Sequence, residues 1–171
     1  CTIVAGLIRY WPWNSSAKQV MFLNELEELM ELCRGDSVDP VLPALFGLIA
    51  RCIASEHFQV AERALMLWSC ESLGHGLLSK TRAPMSLPLL FSPLMQASTR
   101  HWNESVLAAA ESVLQRSKEQ SPQVYESCLR THNERKNALA NERACANAKW
   151  VEFEKAAAST GSTEVSGSGP S

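Results

Sequence analysis

The residues best equipped for nucleophilic or metal chemistry are six cysteines (Cys1, Cys33, Cys52, Cys70, Cys128, Cys145) and four histidines. Two Cys–His pairs are five residues apart, Cys52 with His57 and Cys70 with His75. A thiol nucleophile needs a base within hydrogen-bond reach, an acid to orient that base, and donors for the developing oxyanion. Cys52 and His57 straddle a turn. Cys70 and His75 lie roughly one helical turn plus one residue apart. No orienting acid or oxyanion donor accompanies either pair. Zinc sites use paired ligands such as Cys-x-x-Cys, and neither that pattern nor a second nearby Cys/His pair occurs. No glycine-rich phosphate loop is present. No cofactor or metal is therefore expected. A thiol enzyme using Cys70 and His75 stands only as an alternative of another class.

The elements that would position these residues are helices. Ile3, Val4, Leu7 and Ile8 make one apolar face that stops at Pro12. Ser16-x-x-Gln19 reads as a capping box. Val20, Phe22, Leu23, Leu26, Leu29, Met30 and Cys33 follow at helical spacing, up to Gly35-Asp36. A third helix, Val41 to Ile53, is apolar on most sides and is expected to be buried between neighbours, with Pro40 in its first turn. Ser55 is expected to cap a fourth helix from His57 to about Leu78. A fifth runs from Pro84 to Met95, kinked or broken by Pro88 and Pro93. Ser98-Thr99 are expected to cap a sixth, from His101 to about Arg116. A long helical region then follows Pro122 to about Ala158. Its apolar face is thin: Val124, Cys128, Leu139, Trp150, Val151 and Phe153.

A repeat underlies this order. Leu42-Pro43-x-Leu45-Phe46 returns as Leu87-Pro88-x-Leu90-Phe91, and His57-Phe58 returns as His101-Trp102, a period of 44–45 residues. Trp13-Asn14 occupies the matching slot one step earlier. Two helices per unit of roughly 40–47 residues is the signature of a HEAT or armadillo-type solenoid. The fold class is thus all-α, a HEAT/armadillo-like α-solenoid of stacked antiparallel helix pairs. Residues 1–118 form about three repeats of a longer solenoid, 119–158 a long helical region, and 159–171 a Ser/Gly/Thr-rich tail expected to be disordered. An apolar first helix with nothing before it implies missing preceding repeats.

Composition narrows the partners. The formal net charge is −2, too small a field to argue for nucleic acid or an anionic membrane. No apolar run approaches the roughly 18–20 residues a membrane span needs. The scattered cysteines fall mostly among apolar residues, which fits reduced, buried thiols in a cytoplasmic or nuclear protein. Stacked helix pairs offer a long surface for holding other proteins.

Several blocks carry a family resemblance: Tyr10-Trp11-Pro12, Val20 to Glu28, His57 to Leu65, Trp68 and His101-Trp102-Asn103. In order and spacing they resemble the B-prime (B56-class) regulatory subunits of protein phosphatase 2A, closely from about Ile3 to Leu114. The resemblance implies a HEAT-like solenoid of about eight repeats, of which this chain would hold roughly the last three. It implies a non-catalytic subunit that binds the scaffold and catalytic subunits and selects phosphoprotein substrates. The family's pocket for short Leu-x-x-Ile-x-Glu-type peptides belongs to middle repeats, so no pocket residue is carried over. The sequence departs from the family at Glu56, where proline is usual, near Met66-Leu67, at Ser69 to Ser72, at Lys80 to Arg82 and at Leu107 to Ala110. A generic solenoid adaptor or transport receptor remains the alternative of the same structural type.

The candidate partner contacts are Glu56, His57, Arg100 and His101, on two equivalent turns expected to line one edge of the solenoid. Each imidazole is also expected to bond backbone or a carboxylate within its turn. Phe58, Trp68 and Trp102 are expected to anchor the core. Glu62 and Arg63 are expected to fix the stacking of repeats. Glu25, Glu27, Glu28 and Glu31 read as a solvated face, with a basic partner segment as the alternative.

Overall fold

The computed structural model describes residues 2–32, 39–68 and 81–160. Among these residues every regular element is a helix: α1 Thr2–Arg9, α2 Ser16–Leu32, α3 Leu42–Ile53, α4 Phe58–Met66, α5 Ala83–Arg100, α6 Glu104–Gln120 and α7 Pro122–Thr160. The chain divides into two compact units, Cys1–Arg130 and Thr131–Ser171, the division falling within α7.

In the first unit the packing follows a simple rule. Each odd helix packs on the next even one, α1 on α2, α3 on α4 and α5 on α6. Odd helices also pack on odd ones (α1–α3, α3–α5) and even on even (α2–α4, α4–α6). Pairs therefore stack in two layers, which is the architecture of an α-solenoid. The fold class expected from the repeat is the one observed.

The core explains why the pairs must stack. In α3, Leu42, Leu45, Phe46, Leu48, Ile49, Cys52 and Ile53 are all buried. That face is too wide for one neighbour to cover, and α1, α4 and α5 cover it together. Its counterpart in α5 buries Leu87, Leu90, Phe91 and Leu94. Leu42/Phe46 and Leu87/Phe91 thus hold equivalent inward positions in adjacent repeats. Each such aliphatic or aromatic side chain contributes about 1.5–3 kcal/mol on burial. Trp68 is wholly buried at the end of the α4 segment.

Several helix boundaries differ from the sequence reading. Ser15, not Ser16, caps α2: its hydroxyl accepts from Lys18 N, and Gln19 turns its amide to the Trp13 carbonyl at 3.1 Å instead of completing a capping box. The α4 helix ends at Met66, and Ser55 caps no helix; its hydroxyl takes the His57 amide within the turn. The α5 helix runs unbroken past Met95 to Arg100. Pro84 sits in its first turn, where its missing N–H costs nothing, and Pro88 lies on the exposed side. Ser98 and Thr99 lie inside α5, their hydroxyls donating back to the Met95 carbonyl at 3.2 and 2.7 Å. That back-bonding removes them as caps. The cap of α6 is Asn103, whose Oδ1 accepts from Ser105 N and Val106 N. The expected stop at Gly35-Asp36, the fourth helix beyond Trp68, the Cys70–His75 pair and the tail from 161 onward lie outside the described residues.

The first residues of α7 complete the first unit. Cys128 is buried, Val124, Tyr125 and Leu129 pack on the core, and the Tyr125 ring meets Phe91 edge-on at 5.2 Å. The described part of the second unit is helix, and its large apolar side chains Leu139, Trp150, Val151 and Phe153 are exposed.

Candidate functional site

Each helix pair is joined by a short turn, and the turns of successive pairs lie side by side. Their side chains are linked across the repeats. The Trp102 indole N–H donates to the Glu56 carbonyl at 3.3 Å, 46 residues away, and its ring meets Phe58 at 5.5 Å. Ser105 donates to the Glu62 carboxylate, 43 residues away. The Arg63 guanidinium reaches back to Asn24 and Glu27, so it ties α4 to α2 as Glu62 ties α4 to α6. Arg116 donates to the Trp68 carbonyl at 2.6 Å across 48 residues, and Arg82 pairs with Asp39 at 2.9 Å across 43. These separations bracket the sequence repeat, so one repeat is bonded to the next at equivalent places.

Between the second and third turns lies an open cleft of about 440 Å³. Ile53, Ala54, Ser55 and Glu56 line one side, and Gln96, Ala97, Arg100, His101 and Trp102 the other. Three of the four candidate contacts thus meet here. His57 is exposed on the same turn as Glu56 but does not line the cleft. Glu56 and Arg100 are exposed on the facing rims.

The two histidines behave differently. His101 Nδ1 accepts from the Asn103 amide at 3.1 Å, which fixes the ring in the turn. Its Nε2 is buried without a protein partner. At His57 it is the backbone N–H that is held, by Ser55.

Two assignments are corrected. Trp102 is not a core anchor, because it is 68% exposed. Its helical phase misled, since α6 begins only at Glu104 and residue 102 belongs to the turn. Phe58, in contrast, is half-buried against the core. The acidic strip of α2 is not wholly solvated either: Glu27 is the partner of Arg63. The contact of Trp13 with Arg51 was not legible in the sequence. The Arg51 guanidinium lies 3.6 Å from the centre of the Trp13 ring, one repeat earlier on the same edge. Trp13 occupies a slot matched by the repeat, but a cation–π contact has no sequence signature.

The chemistry available to Cys52 is slight. Burial pushes its thiol up to about 12, although Arg51 acts in the opposite sense. A thiolate is the reactive form, so burial works against nucleophilic use of Cys52. Burial also raises the Cys128 thiol. Among the described residues no group of three or more His, Cys, Asp or Glu side chains is placed to hold a metal ion. No described helix is long and apolar enough to cross a membrane.

Two-layered helical-repeat folds of this kind present extended surfaces that many such proteins use to bind others. Sequence comparison gives the family. The model of the family described as "Protein phosphatase 2A regulatory B subunit (B56 family)" matches residues 1–157, and the chain belongs to that family. Among the family's regulatory subunits, it is 34% identical over 158 residues to the 55 kDa B' delta isoform of Arabidopsis thaliana, covering 92% of this chain and 33% of that one. It is 35% identical over 154 residues to the 59 kDa B' eta isoform of the same plant, covering 90% and 30%. The 56 kDa regulatory subunit delta isoform of Oryctolagus cuniculus is 35% identical over 134 residues, 78% of this chain and 22% of that one. The chain thus spans about a third or less of the length of these relatives, and it corresponds to the C-terminal portion of the family.

Proposed function

We propose that this chain acts within a regulatory subunit of a serine/threonine protein phosphatase 2A complex, where it binds the scaffold and catalytic subunits and helps direct the choice of phosphoprotein substrates. The observation that carries the reading is the family match over residues 1–157 on a two-layered solenoid. The subunit itself does no chemistry in this reading. Support comes from the burial of Cys52, which holds its thiol protonated, and from relatives whose names describe regulatory subunits. The free thiols Cys52, Cys128 and Cys145 accord with a cytoplasmic or nuclear setting.

The edge formed by the Glu56 and Arg100 turns approaches the phosphatase core. Both side chains are exposed, so reversing their charges alters the surface and leaves the core intact. The test uses the chain grafted in place of the matching segment of the Arabidopsis B' delta isoform. Capture of purified scaffold and catalytic subunits should weaken for the Glu56→Arg/Arg100→Glu variant, with an unchanged circular dichroism melt. Capture by the double variant at wild-type affinity would place the interface elsewhere. A wild-type graft that recovers neither subunit would leave a solenoid adaptor of another kind.

A further inference from the structure

We propose that the cleft between the second and third turns is a docking site for an acidic segment of a partner protein. The segment lies extended in the cleft and places an Asp or Glu carboxylate against Arg100 and His101. The inference rests on the reading of this edge as the partner-facing one and adds the chemistry it selects.

His101 supplies the first argument. Its Nδ1 accepts a hydrogen bond from the Asn103 amide at 3.1 Å, and an accepting ring nitrogen carries no proton. The ring proton therefore sits on Nε2, which is buried and unpartnered. A buried donor without an acceptor is costly, so an oxygen brought by a ligand is favoured there. Arg100 supplies the second argument. It is exposed, and among the described residues its guanidinium has neither an ion pair nor a hydrogen bond. Adjacent in sequence and both lining the cleft, the two donors suit a carboxylate better than a neutral carbonyl.

Trp102 supplies the third. An indole that is 68% exposed is normally free to rotate, yet this one is held on three sides. It donates to the Glu56 carbonyl, meets Phe58 edge-on and stacks on His101 at 5.8 Å. A large aromatic surface ordered in advance is typical of residues that dominate binding energy, because little entropy is lost on contact. Ile53, Ala54 and Ala97 give the cleft a short-chained apolar floor that admits an extended backbone.

Glu56 faces Arg100 across the same cleft, so the incoming carboxylate seats on the Arg100 side, away from Glu56.

The test needs no phosphatase component, so its failure is distinct from failure of the functional reading. The 171-residue chain is immobilised and panned against a phage library of random heptapeptides, and selected peptides are remade with a fluorescent label. The expected result is enrichment of Asp- or Glu-bearing sequences whose affinity falls about tenfold or more with Arg100→Glu. A similar fall is expected with Trp102→Ala, and little change with Lys118→Glu, an exposed control on α6. Each variant is checked for an unaltered helical spectrum, and Arg100→Ala provides a milder substitution. No enrichment, enrichment of basic or neutral peptides, or wild-type binding by both Arg100 variants would overturn the proposal.

Discussion

Two buried residues in the first unit test the structure most simply. Trp68 is fully buried, and its indole N–H makes no hydrogen bond, so its contribution is packing alone. Trp68→Ala should cost about 3–5 kcal/mol, and Trp68→Phe clearly less, since no polar bond is lost. A urea titration checks both, and an unchanged midpoint for Trp68→Ala would refute the burial. Cys52 adds a pH dependence. Its thiol titrates near 12 in the folded state and near 9.0 in the unfolded chain. Between those values the unfolded state releases a proton that the folded state retains. The associated stability is therefore complete below about pH 9 and declines as pH rises towards 12, by at most about 1.4 kcal/mol per pH unit. Comparing urea midpoints at about pH 8 and about pH 10.5 should show a larger loss in the wild type than in Cys52→Ala. Iodoacetamide should leave Cys52 unmodified in the folded chain and alkylate it in urea.

At the scale of elements, the turns between helices determine where side chains point. Asn103→Ala removes the acceptor for two amides at the start of α6 and should cost about 1 kcal/mol. Ser98→Ala should cost less, because its hydroxyl bonds only the Met95 carbonyl within α5. Thermal melts of the two variants check the order, and equal losses would contradict the assignment of the cap. The same turns mark where sequence reasoning succeeded and where it stopped. The apolar spacing of Leu42, Leu45, Phe46 and Ile49, and its return at Leu87, Leu90, Phe91 and Leu94, made the inward faces legible. Burial must follow the helical period, so the sequence carried that information directly. The caps were less legible because Ser98, Thr99 and Asn103 all have side chains that can cap. Only the path of the backbone decides which one does so. Trp102 was misplaced for the same reason: two residues outside a helix, the 3.6-residue period no longer applies. The cleft at Arg100 and His101 was partly legible, since the repeat placed both turns on one edge. The pairing of Trp102 with Glu56 depends on how adjacent repeats settle against each other.

At the scale of the whole molecule, equivalent cross-repeat bonds make the first unit a stack in which each pair is held mainly by its neighbours. Such a stack presents a continuous edge, which suits a protein that holds others. Exposed apolar side chains on α1 and α2, including Ile3, Met21 and Leu32, should make the isolated chain self-associate. Sedimentation velocity across a concentration series should show a rising mean mass, and a monodisperse monomer throughout would contradict this. The central claim, that the chain serves as part of a phosphatase regulatory subunit, is tested most directly by size-exclusion chromatography. The graft carrying this chain in the Arabidopsis B' delta isoform is mixed with the purified scaffold–catalytic pair. Predicted is co-elution as one three-component peak, with no phosphatase activity from the graft alone. Separate elution of the graft, while unmodified B' delta co-elutes under the same conditions, would contradict it.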